Sequence, residues 1–120
     1  MIAMSSDGFP RYLYKIVPTA PPEPLPQEYP LSELDQTDGF VHLSTDEQVP
    51  NTCDLFFNQT TELWVLKLEF APVKADIKWE GGFPHLYANF GAKQIVSVNK
   101  FSRSEDQKWS ENMKGSTWLE

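Results

Sequence analysis

Apolar and aromatic residues cluster in short runs along the chain, and their spacing predicts a sequence of small elements. Arg11 to Val17 (RYLYKIV) is rich in aromatic and β-branched residues and reads as the first strand. Six of the ten prolines follow within Pro18 to Pro30, a density that neither a helix nor a central strand tolerates. That stretch reads as an extended, polyproline-like surface segment, a stiff insertion in preference to a partner-binding peptide. Leu31 to Thr37 predicts a short helical turn capped by Ser32, and Gly39 to Leu43 (GFVHL) a short apolar strand.

The polar run Ser44 to Glu47 then starts a helix, with either Ser44 and Glu47 or Thr45 and Gln48 as a capping box. Val49, Cys53, Phe56 and Phe57 fall on one stripe of it. Pro50 lies too deep for a helix capped at Thr45, so either the first turn is separate or the helix restarts at Pro50. Leu63 to Phe70 alternates, with Trp64, Leu66, Leu68 and Phe70 on one face and Lys67 and Glu69 on the other; it is the clearest strand, and Pro72 stops it. Ile77 to Glu80 is a short strand followed by a bend at Gly81-Gly82, and Ile95 to Phe101 is the last strand. The pattern describes one α+β domain over residues 11–103, with mixed or antiparallel strands and one or two helices. A loose lead-in over 1–10 precedes it. A polar tail over 104–120 follows, in which Trp109 and Trp118 either dock or stay exposed.

The chain has 120 residues, which fits one hydrophobic core and not two. A formal net charge of −7, with ten scattered basic residues, argues against binding a nucleic-acid duplex, which needs a stripe of cations to displace counterions. No run is apolar and long enough to span a bilayer, and no signal peptide is visible, so no membrane partner is expected. The single cysteine, Cys53, excludes an internal disulfide. The cytoplasm is the expected location, with the nucleus as alternative.

The chemistry centres on the only two histidines, which share a local pattern: Gly39-Phe40-Val41-His42-Leu43 and Gly82-Phe83-Pro84-His85-Leu86. An imidazole in an apolar segment needs partners or shifts its proton affinity, and imidazole exchanges protons near neutral pH. Asp38 precedes one segment and Glu80 the other. Ser44 and Thr45 follow His42, and Tyr87 follows His85. Imidazoles, hydroxyls and aromatic walls together make a small-molecule site; the competing reading is two core histidines that donate to main-chain carbonyls. No G-x-S-x-G supports a serine nucleophile. Cys53 sits on an apolar stripe, as an inert thiol would. No spacing marks a metal site, and no glycine-rich loop marks a Rossmann or phosphate-loop nucleotide site.

DGFVHLST (38–45) and FPHLY (83–87), with EQV (47–49) and WE (79–80), closely resemble the domain of unknown function 952 family. The likeness runs from RYLYKIV to about Phe101. The proline-rich stretch 18–30 looks like an insertion relative to shorter bacterial members, and Ala88-Asn89 stands where those members carry glycine. The resemblance implies an ADP-ribosyl-like α+β fold related to the ADP-ribosyltransferase superfamily, whose H-x-S or H-x-T strand residues and aromatics bind NAD. His42-Leu43-Ser44 would then take the H-x-S place, with His42 on a ribose hydroxyl and Ser44 in support. Tyr87 or Phe83 would stack on nicotinamide, and Glu80 would be the acid that steadies an oxocarbenium-like transition state. The expected site is thus His42, His85 and Glu80 as catalytic residues, with Asp38, Ser44, Thr45, Phe83 and Tyr87 binding the ligand. The ligand would be NAD, ADP-ribose or a related phosphorylated nucleotide. A non-catalytic small-ligand binder and a protein-interaction module with structural histidines are the alternatives.

Overall fold

A computed structural model describes residues 9–120, so most of the expected lead-in lies outside the described residues. Strand β1, Tyr12–Val17, pairs antiparallel with β3, Glu62–Glu69, which pairs antiparallel with β6, Ile95–Ser102. The second sheet has β5, Phe83–Leu86, between β2, Val41–His42, and β4, Ile77–Glu80, again antiparallel. Among the described residues three short α-helices, where one or two were expected, complete the α+β fold: α1, Glu33–Asp38; α2, Val49–Phe56; and α3, Trp109–Asn112, with a 3-10 helix over Ala71–Asp76 between β3 and β4.

The length predicts one core, but alternation on β3 separates two, one on each face of its sheet. Leu66 and Leu68, with Leu13 and Val17 of β1, face the second sheet and bury Val41, Leu43, Leu86 and Phe90. Leu63 and Val65, with Tyr14 and Ile16, face α2, α3 and the C-terminal residues. A strand buried on both faces departs from the one polar face expected for Lys67. That lysine is 5% exposed, its ammonium held by Glu120 at 2.9 Å and set over the rings of Tyr12 and Trp118. Cation–π contact and an ion pair offset the desolvation of the charge.

Residues beyond 103 were expected to lie outside the domain, yet they build the second core. Trp109 is 1% exposed and donates its indole N–H to Phe57 O, Met113 is buried, and Trp118 packs edge-on against Tyr14. Docking is thus the fate of both tryptophans; polar spacing around lone large aromatics hides it from a periodicity search. Arg103 fastens this junction through hydrogen bonds to the carbonyls of Asn58, Thr60 and Gln107.

The proline-rich segment holds no helix or strand, as expected. It is not a free spacer, because Tyr29 is buried and stacks on Phe90, and Ala92 N–H donates to Pro26 O. Gly91 permits that approach: a Cβ there would stand 1.8 Å from the Gln27 carbonyl oxygen. Ser32 caps α1 by accepting from Asp35 N–H, and Gly39 ends it in a left-handed conformation. Before α2, Gln48 Oε1 accepts from Thr45 N–H, the returning half of a capping box. A separate turn over residues 46–48 then hands on to a helix with Pro50 in its first turn. On α2, Val49 and Cys53 are buried as the stripe predicts, but Phe56 is 73% exposed. Gly81 and Gly82 both take positive φ, the backbone of a tight two-residue hairpin turn between β4 and β5.

Candidate functional site

The repeated G-F-x-H-L pattern has a geometric outcome. Its two copies pair antiparallel on β2 and β5, with Val41 opposite Leu86 and His42 opposite His85. Directly opposed residues on a sheet project to the same face, so the two imidazoles meet. Their ring centroids are 5.5 Å apart. Phe40, just before β2, stacks on His85 at 4.1 Å and lies tilted against His42 at 4.5 Å. Pro84, on a central strand, would ordinarily break the ladder. Its carbonyl, and hence its missing N–H, points past the short end of β2 toward Leu43, whose N–H it accepts.

Each imidazole is held by carboxylates. His42 Nδ1 lies 2.6 Å from Asp35 Oδ1, and Nε2 lies 2.9 Å from Asp38 Oδ2. The Nδ1 contact is a hydrogen bond to Asp35, and the Nε2 contact is a close approach of the ring to the Asp38 carboxylate. Asp35 also accepts from His42 N–H and from Lys15 Nζ at 2.7 Å. Burial pushes its carboxyl upward, but the Lys15 charge and hydrogen bond, with the bonds from His42, outweigh that and hold it below the usual carboxylate range.

His85 is arranged differently. Its Nδ1 lies 2.8 Å from Glu80 Oε1, and the same oxygen accepts from Tyr87 Oη at 2.7 Å. These bonds from Tyr87 and His85 lower the Glu80 carboxyl, and Glu80 in turn raises the Tyr87 phenol. Nε2 of His85 has no hydrogen-bond partner among the described residues. In the neutral tautomer that donates from Nδ1 to Glu80, Nε2 carries the free lone pair.

Both histidines line a cavity of about 560 Å³ between the end of β1, α1, β2 and α2. Ile16, Val17, Leu34, Leu43, Phe56 and Phe83 supply apolar wall, and Lys15, Asp35, Ser32, Ser44 and Thr52 supply polar edge. This volume lies in the range of small-molecule sites. The exposed side chains of Leu34, Phe56 and Phe83 stand among the lining residues.

Of the residues read from sequence, His42, His85, Ser44 and Phe83 line this cavity. Asp38, Glu80, Thr45 and Tyr87 do not. Asp38 and Glu80 back the two imidazoles, Tyr87 backs Glu80, and Thr45 serves the start of α2. Of the two aromatics expected to stack on a ligand, Phe83 lines the cavity and Tyr87 does not. Sequence reasoning missed Lys15, Asp35 and Phe40. A lysine between Leu13 and Val17 on the inward positions of a strand was a legible signal of a buried partner; Asp35 on a short polar helix carried none. No group of three or more His, Cys, Asp or Glu among the described residues is arranged to hold a metal ion. Cys53, on the buried face of α2, has its thiol pushed up to about 12 by desolvation. No helix among the described residues is long and apolar enough to cross a membrane.

A family model described as protein of unknown function, DUF952, matches residues 23–98, spanning both histidine segments. Among solved structures, the chain is similar to protein CC0527 from Caulobacter crescentus. Its crystal structure is 29% identical, covering 81% of this chain and 91% of that one with a TM-score of 0.68. Its solution NMR structure is 27% identical, covering 91% and 98%, with a TM-score of 0.70. None of the curated proteins compared with the chain matches it.

Proposed function

We propose that this chain, which belongs to the DUF952 family of proteins of unknown function, binds a small molecule in the histidine-lined cavity and acts on it by proton transfer through His85. One observation carries the reading: Glu80 holds Nδ1 of His85 at 2.8 Å, Nε2 has no hydrogen-bond partner among the described residues, and His85 lines the cavity. A carboxylate behind an imidazole fixes its tautomer, orients it and steadies the cation formed when it takes a proton. Glu80 is then a positioning residue, and Phe40 holds the plane of the ring. His42, set between Asp35 and Asp38, joins α1 to β2 and is a positioning residue in this reading.

A second reading, that the ligand is NAD, ADP-ribose or a related nucleotide, draws support from His42 and Ser44 meeting Phe83 at one cavity wall, the H-x-S arrangement of the ADP-ribosyltransferase superfamily. The engagement of Glu80 with His85 and Tyr87 speaks against its direct action on an oxocarbenium-like centre.

Long-range proton–nitrogen spectra of the two imidazoles test the first reading. The expected result is His85 in the Nδ1–H tautomer, redistributed in Glu80→Gln. An Nε2–H tautomer in the unmodified chain would refute the general-base role. Calorimetric titration with NAD and with ADP-ribose, followed by assay for released nicotinamide, tests the second. Heat without turnover leaves binding alone, and absence of heat with either compound removes the nucleotide reading.

A further inference from the structure

The charges around the cavity say what class of molecule it accepts. Phosphate and carboxylate ligands are held by unpaired Lys or Arg donors, by backbone nests, or by the start of a substantial helix. The cavity lining contains one lysine and no arginine. Lys15 Nζ is 2.7 Å from Asp35 Oδ2 and 3.2 Å from His42 O, so its charge is matched and two of its three N–H donors are engaged. The ring of His42 lies between the Asp35 and Asp38 carboxylates, so it offers an anion no unmatched positive charge. Three carboxylates, Asp35, Asp38 and Glu80, back the two histidines, and Lys78 lies off the lining, over the Tyr87 ring at 4.6 Å. Leu34, Phe56 and Phe83 make the wall a poor solvent for an anion shedding its water. The net charge of −7 adds a long-range field of the same sign.

The polar groups left open are Nε2 of His85, an acceptor in the Nδ1–H tautomer, and the Ser44 and Thr52 hydroxyls, which carry no charge to hold an anion. We infer that the cavity selects an uncharged or cationic molecule with an apolar body and an N–H or O–H donor directed at His85 Nε2, and that it rejects phosphates and carboxylates. This rests on the reading of His85 as the acting group. It weighs against any nucleotide whose diphosphate must enter the cavity.

Four benzene derivatives of nearly equal size isolate the charge: benzamide, benzamidine, benzoate and phenyl phosphate, each titrated into the full chain and followed by amide resonances of Leu34, Leu43 and Phe56. Benzamide and benzamidine are expected to shift these resonances with dissociation constants at least tenfold below those of benzoate and phenyl phosphate. In Asp38→Asn, which removes one carboxylate at an exposed position, the gap between benzamidine and benzoate should narrow about threefold, the scale of one partly screened charge at short range. Phenyl phosphate binding as tightly as benzamide would overturn the charge selection and leave the ligand site standing. No binding by any of the four would overturn the site itself, and an unchanged gap in Asp38→Asn would overturn its electrostatic basis.

Discussion

Replacing Asp35 by alanine probes the joint on which the site is hung. The carboxylate is almost fully buried and accepts from Lys15 Nζ at 2.7 Å, from His42 Nδ1 at 2.6 Å and from His42 N–H at 3.2 Å. Removing it leaves the Lys15 ammonium, itself 9% exposed, with only the His42 carbonyl. An uncompensated buried charge costs about 3–5 kcal/mol. With a urea m-value of about 2 kcal/mol/M, the unfolding midpoint should fall by roughly 1.5–2.5 M at unchanged m. Lys15→Met with Asp35→Leu removes both charges and fills the space, and buried pairs replaced in this way lose little. The double variant should therefore lie closer to the parent than Asp35→Ala does, with a coupling of at least about 2 kcal/mol in the cycle. Urea melts followed by tryptophan fluorescence and far-ultraviolet circular dichroism measure both numbers. Losses that simply add would refute the pair as the joint. The acid limb offers a second check. Asp35 is held below its unfolded value, so its contribution is complete above about pH 4 and is lost as the pH falls through the folded value. Stability should decline below about pH 4, and less steeply in Asp35→Ala.

Gly91→Ala should cost about 1–3 kcal/mol, since its Cβ has no room beside the Gln27 carbonyl and the proline-rich segment must lift; a thermal melt within one degree of the parent would contradict this. Trp109→Ala should cost about 3–5 kcal/mol by emptying the second core and removing the indole hydrogen bond to Phe57 O, and an unchanged melt would show the C-terminal residues to be dispensable. Cys53, with its thiol pushed up to about 12, should resist Ellman's reagent at pH 8 in the folded chain and react at once in urea; rapid labelling without denaturant would refute its burial.

Much of this protein is legible along the chain. The β-branched and alternating runs mark β1, β3, β4 and β6, Ser32 marks the start of α1, and the glycine pair marks the turn into β5, because those signals act between residues a few positions apart. The matching G-F-x-H-L segments, separated by 43 positions, single out the two histidines and most of the groups around them. Tertiary structure decided the rest. Only antiparallel registry sets His42 opposite His85. Only the packing of α1 against β1 brings Asp35 to Lys15, twenty positions away, and only the second core draws Trp109 and Trp118 inward. A buried charge finds its partner, and a lone aromatic its cavity, through contacts distant in the chain. Local periodicity carries no record of such contacts, so the division of labour between the two imidazoles, one bracketed and one left open, belongs to the folded molecule.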